Sequence, residues 1–186
     1  MKFAKRIVWS IFIVLLVGIL FRGGVYRSLI SYQSLGERKN YTVYDPELVR
    51  QIDEMAKAEK PQDIREVVDL GLLITASQLK FTFTRNEMDP NRLARSKTAH
   101  CVGYAVFFAS VCNYLLKKND LEGDWIALPH AGQLYLGQTN VHAYFTSSFF
   151  KDHDFVILKN QLTGEILTID PTLYDYLRIG FVTFKE

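Results

Sequence analysis

Three residues of this chain, Cys101, His142 and Asp170, have the types and the order to perform covalent chemistry. Cys101 follows the polar, basic stretch Ser96–Lys97–Thr98–Ala99–His100 and opens a strongly apolar run. Thr98 is expected to cap a helix there, its hydroxyl accepting a free backbone N–H. A thiol in the first helical turn meets unpaired N–H groups and the positive end of the helix dipole, and both favour thiolate. His142 lies in Val141–His142–Ala143–Tyr144, which reads as strand, and Asp170 ends the apolar strand before Pro171. In such an arrangement His142 takes the thiol proton and later protonates the leaving group. Asp170 fixes the ring's tautomer and orientation. Backbone N–H groups near Cys101 would hold the oxyanion.

Other chemistry-bearing residues have weaker claims. Cys112 sits in the middle of the apolar run and reads as packing. On one helix, Cα atoms eleven residues apart are roughly 16 Å apart, and a disulfide needs less than about 7 Å. His153, flanked by Asp152 and Asp154, is the rival general base, but its surroundings read as a turn. His100 is expected to point to another side of the helix, and His130, after Pro129, reads as loop. There is no zinc spacing and no phosphate-cradling glycine loop, so no metal or cofactor is expected.

The elements that must position these groups follow from pattern. Asp45–Pro46–Glu47 is a helix start, and the apolar spacing predicts a helix over 46–59. Pro61 opens a second helix to about Ser77, and Lys80–Thr84 reads as a short strand. Arg85–Lys97 reads as an aperiodic basic loop, either simply solvated or with a charge that depresses the Cys101 pKa or attracts an acidic substrate. Ala99–Lys118, apolar nearly all round, reads as a buried central helix. From Gly123 the pattern changes to strands at 124–128, 140–146, 155–158, 164–169 and 181–184. Helices followed by strands predict an α+β fold, with an antiparallel sheet packed on the central helix.

The whole chain of 186 residues carries a net charge of +2, too little to imply a nucleic-acid partner. Lys2, Lys5 and Arg6 precede an apolar run from Ile7 to Phe21. Its fifteen residues span roughly 22 Å against a hydrocarbon core of about 30 Å, and flanking basic side chains could close that gap. The expectation is therefore a single-pass membrane protein anchored by residues 1–22, or a signal segment there. The flanking charges favour the domain on the extracytoplasmic side. Residues 23–44 read as a linker and 45–186 as one domain.

On Cys101–Val102–Gly103–Tyr104–Ala105, Val141–His142–Ala143–Tyr144 and Thr168–Ile169–Asp170–Pro171–Thr172, the chain resembles the transglutaminase-like superfamily of papain-fold enzymes. The resemblance covers about Asp45 to Asp175. It departs from the family pattern before the cysteine, where Lys97–Thr98–Ala99–His100 stands in place of Arg-x-Gly-x. It departs again at Tyr144, where tryptophan is common, and in the long interval from His142 to Asp170. The resemblance implies a papain-like core and a Cys101–His142–Asp170 triad, with Gln78 a weaker candidate for the oxyanion hole, as in some papain-fold enzymes. The implied enzyme is a cysteine hydrolase (or acyltransferase) cleaving an amide bond in a peptide, protein or cell-envelope polymer through a thioester. A non-catalytic, membrane-tethered binding or assembly module is the alternative. An arylamine acetyltransferase-like enzyme fits less well, because the chain is short for it.

Overall fold

The structure, a computed structural model, describes residues 5, 9, 12, 13, 16–84 and 87–185. Helix α1 (Arg22–Leu29) runs into strand β1 (Ile30–Glu37). Helices α2 (Pro46–Glu59) and α3 (Ile64–Gln78) lead to a two-residue strand β2 (Lys80–Phe81). Helix α4 (Pro90–Ser96) and strand β3 (Thr98–Ala99) precede the central helix α5 (Cys101–Lys118). Then come β4 (Trp125–Leu136), β5 (Thr139–Asn140), two 3₁₀ turns (Val141–Tyr144 and Ser148–Phe150), β6 (His153–Asn160) and β7 (Ile166–Ile169). Helix α6 (Pro171–Leu177) and β8 (Thr183–Phe184) end the order. The fold is α+β, as the pattern predicted, but its sheet is mixed and not wholly antiparallel, because the C-terminal strand runs parallel to β1.

Local chemistry explains most of the helix starts. Asp45 caps α2 by accepting the N–H groups of Glu47 and Leu48, with Pro46 in the first turn. Asp63, not Pro61, caps α3. Asp89 caps α4, with Pro90 again in the first turn, so the supposed aperiodic loop holds a helix. His100 is the N-cap residue of α5 without a side-chain cap bond, and Thr98 lies in β3 instead.

The sheet is mixed and nearly closed. Its order is β7-β6-β4-β1-β8, with β8 parallel to β1 and the other neighbours antiparallel. The segment that forms β8 also returns to β7: Phe181 bridges Ile169, and the Val182 N–H bonds the Thr168 carbonyl at 2.9 Å. The closed side is filled by Tyr32, Phe155, Ile157 and Val182. The other side packs on α5 and α3 through Val156, Leu158 and Ile169. Alternate residues of β6 thus face two cores, which is why the strand reads as one apolar run.

Close approach requires two glycines. A Cβ on Gly132 would stand 2.3 Å from the Phe155 ring and 2.8 Å from the Gln33 carbonyl. One on Gly71 would stand 2.7 Å from Cys112 Sγ, where α3 crosses α5. Cys112 is fully buried and unreactive by position, since burial pushes its thiol well up. Strand β4 continues through Pro129, where a break was expected. The Pro129 carbonyl accepts the Arg38 N–H, so the missing proline donor faces the end of β1, where the ladder has run out.

Two readings of the N-terminal region need correction. Among the described residues, no helix is long and apolar enough to cross a membrane. That overturns the single-pass anchor over residues 1–22 and the extracytoplasmic placement built on it; residues 1–4, 6–8, 10, 11, 14 and 15 lie outside the described set. The stretch read as a linker at 23–44 supplies α1 and an interior strand of the sheet. Its buried Tyr32 and its Arg38 both reach the site below.

Candidate active site

Cys101 occupies the first position of α5. The first bond within the helix runs from the Tyr104 N–H to the His100 carbonyl at 3.0 Å. The N–H groups of Cys101, Val102 and Gly103 therefore have no partner inside the helix and point past its start. The Cys101 side chain is nearly buried there, against the first residues of β6.

The imidazole beside it is His153. Strands β6 and β7 pair with Val156 opposite Ile169, so one step further sets Phe155 opposite Asp170. His153, two residues before Phe155, is then a same-face diagonal neighbour of Asp170. His153 Nε2 lies 2.8 Å from Asp170 Oδ2. A carboxylate only accepts, so Nε2 carries the hydrogen, and Nδ1 is left to bond the sulfur of Cys101.

Asp170 is buried and fully engaged. Its Oδ1 accepts the Leu173 N–H at 2.9 Å, capping α6. Its Oδ2 also accepts the Tyr32 hydroxyl at 2.7 Å. Tyr26 in turn donates to Tyr32 at 2.7 Å. Burial and the adjacent Asp170 carboxylate keep the Tyr32 hydroxyl protonated, well above the ordinary phenol range. A continuous line of contacts thus runs Tyr26–Tyr32–Asp170–His153–Cys101. Arg38 fixes the entry to β6 from the other side, donating to Asp154 at 2.9 and 3.0 Å and to Asp152 at 3.2 Å.

The electrostatics favour an ion pair between sulfur and ring. Burial pushes the Cys101 thiol up. Hydrogen bonds from His100 and His153, the charge on His153 and the Asp154 backbone N–H outweigh that, bringing it to about 6. His153 is driven the other way: burial favours the neutral ring, but Asp170 and Cys101 together hold it protonated well above the usual range. Asp170 is lowered despite its burial, chiefly by the charge of His153. His100 is raised by its bond to Cys101. Sequence spacing turns His100 away from Cys101; as the N-cap residue it instead reaches the sulfur.

The structure brings together two of the three expected residues, Cys101 and Asp170, with His153 between them. His142 is not the ring bonded to Asp170. It sits on a 3₁₀ turn, capped by the Asn140 side chain at 2.9 Å, and not on a strand. Its Nδ1 lies 2.7 Å from the Phe150 carbonyl. His142 nonetheless lines a cleft of about 220 Å3 shared with Cys101 and His153 and walled by Phe81, Phe83, Phe149 and Phe150.

The remaining candidates fall elsewhere. His130 is on β4, bonded to Ser34 at 2.8 Å and stacked on Phe155. Gln78 accepts from Lys97 and does not line the cleft. Arg92 and Arg95 pair with Glu87 and Asp45, so those cations are spent away from the sulfur; Arg85 lies outside the described residues. Among the described residues no group of three or more His, Cys, Asp or Glu could hold a metal ion. Comparison with models of protein families, with curated proteins and with solved structures finds no match.

Proposed function

We propose that this protein is a cysteine-dependent amide hydrolase or acyltransferase of the transglutaminase-like, papain-fold kind. The observation that carries the proposal is the position of one ring: His153 Nε2 is fixed on buried Asp170 at 2.8 Å, and the same imidazole is hydrogen-bonded to Cys101 at a helix start.

The reaction follows from these positions. The Cys101 thiolate attacks the carbonyl carbon of a peptide or protein amide, forming the S–C bond. Negative charge moves to the carbonyl oxygen, which the free N–H groups at the start of α5 can stabilise. The C–N bond then breaks, and the His153 Nδ1–H gives its proton to the departing amine. Water, or an acceptor amine, next attacks the thioester. Neutral His153 removes its proton, the S–C bond breaks, and the thiolate–imidazolium pair is restored. Asp170 stays ionised throughout and holds the ring's tautomer.

The test is to trap the intermediate. Wild-type protein incubated with a small activated acyl thioester is expected to gain one acyl mass, mapped to Cys101 and lost again on addition of hydroxylamine. Cys101→Ala protein is expected to gain none. Equal acylation of both proteins would sink the proposal.

A further inference from the structure

Two residues that line the cleft beside Cys101 each carry a covered polar atom that the proposed chemistry does not use. Among the described residues, the buried side-chain nitrogen and oxygen atoms without a hydrogen-bond partner are His142 Nε2 and Thr172 Oγ1. Both residues are 8% exposed, and both line this cleft. Leaving a buried polar atom unpaired is costly, and in folded proteins it is uncommon.

The character of the two atoms defines what would satisfy them. A backbone carbonyl only accepts, so His142 Nδ1 donates to the Phe150 oxygen, and in that tautomer Nε2 is the lone-pair nitrogen. Nε2 therefore asks for an O–H or N–H donor. The Thr172 hydroxyl can both donate and accept. The walls around them are phenylalanine rings and Leu134. A cavity of about 150 Å3 accepts a benzene ring, and this cleft is about 220 Å3. An aromatic ring with one small polar substituent fits that volume.

We infer that this cleft is a specificity subsite for a phenolic side chain, tyrosine-like, next to the bond that Cys101 attacks. The ring packs among the phenylalanines, its hydroxyl donates to His142 Nε2, and its oxygen accepts from Thr172 Oγ1. Phe150 holds the specificity determinant in place through its carbonyl and walls the same cleft. His142, whose sequence context suggests a general base, is in this arrangement the reader of the substrate. This inference rests on the cysteine-enzyme reading above, because it takes the cleft to be the entry to Cys101.

The experiment compares two ligands that differ only in the hydroxyl. N-acetyl-tyrosinamide and N-acetyl-phenylalaninamide are titrated calorimetrically into Cys101→Ala protein, and the matching 4-nitroanilides are given to wild-type protein. The tyrosine ligand is expected to bind about 10-fold or more tightly, since a site built for a hydroxyl penalises its absence. The preference should fall to about 1 in Cys101→Ala/His142→Phe and shrink in Cys101→Ala/Thr172→Val. Equal affinity of the two ligands, or no binding of either at millimolar concentration, overturns the subsite. Selective binding without turnover of either anilide instead overturns the enzyme reading and leaves the subsite standing.

Discussion

His153→Ala is expected to lower turnover about a thousandfold, within the range that general acid–base groups supply. It removes both the proton acceptor and the positive charge beside the sulfur. The Cys101 thiol, at about 6 in the intact site, is then left with His100 and the Asp154 N–H against its burial, and it rises. Steady-state rates on an acyl thioester check the first effect, and the alkylation rate of Cys101 against pH checks the second. The informative comparison is His142→Ala. A larger loss at His142 than at His153 would return the general base to His142 and contradict the pairing seen in the hairpin.

Asp170→Ala is expected to destabilise the fold by about 3 kcal/mol as well as abolish turnover, because it leaves the His153 imidazolium, whose side chain is 22% exposed, without its buried partner. It also removes the cap of α6 and leaves the Tyr32 hydroxyl without its acceptor. The pH dependence has a definite sign. Asp170 is lowered in the fold, so its contribution is present above its unfolded pKa of about 3.9 and is lost as pH falls through the folded value. His153 is raised, so its contribution is complete below its unfolded pKa of about 6.5 and is lost as pH rises through the folded value. Denaturant titrations should therefore show the widest stability gap between wild type and variant at about pH 4–6.5. A gap that stays constant with pH would show that the pair is not ionised as described.

Cys101 was legible as the candidate nucleophile because a cysteine at the boundary between a polar stretch and an apolar helix is a local feature. Asp170 was legible for the same reason: an apolar strand stops, and Asp-Pro begins a helix. The partner histidine is a long-range feature, and alternation misled. Val141–His142–Ala143–Tyr144 has strand-forming residues, but Asn140 caps it into a 3₁₀ turn. Hairpin arithmetic held the better clue. A turn at 161–164 between two apolar strands brings their outer ends together, and those ends carry His153 and Asp170. The overlong interval from His142 to Asp170 pointed the same way.

Strand β1 was hidden for a different reason. Ile30–Glu37 has only a few apolar side chains, with Gly36 at the irregular pairing near its end, so it has the composition of a linker. Its place in the sheet is set by partners a hundred residues away on β4 and by the C-terminal segment. Composition along the chain holds no trace of that. Tyr32 and Arg38, which brace the two ends of the site, were missed with it.

The pH dependence of Cys101 alkylation by iodoacetamide tests the thiolate–imidazolium pair most directly. Peptide mapping separates Cys101 from the buried Cys112. The rate for Cys101 should be half-maximal near pH 6, the position set by its two imidazole neighbours and the Asp154 N–H. A single titration in the ordinary thiol range, near pH 8.5, with no change in His153→Ala, would mean that sulfur and ring do not share a proton.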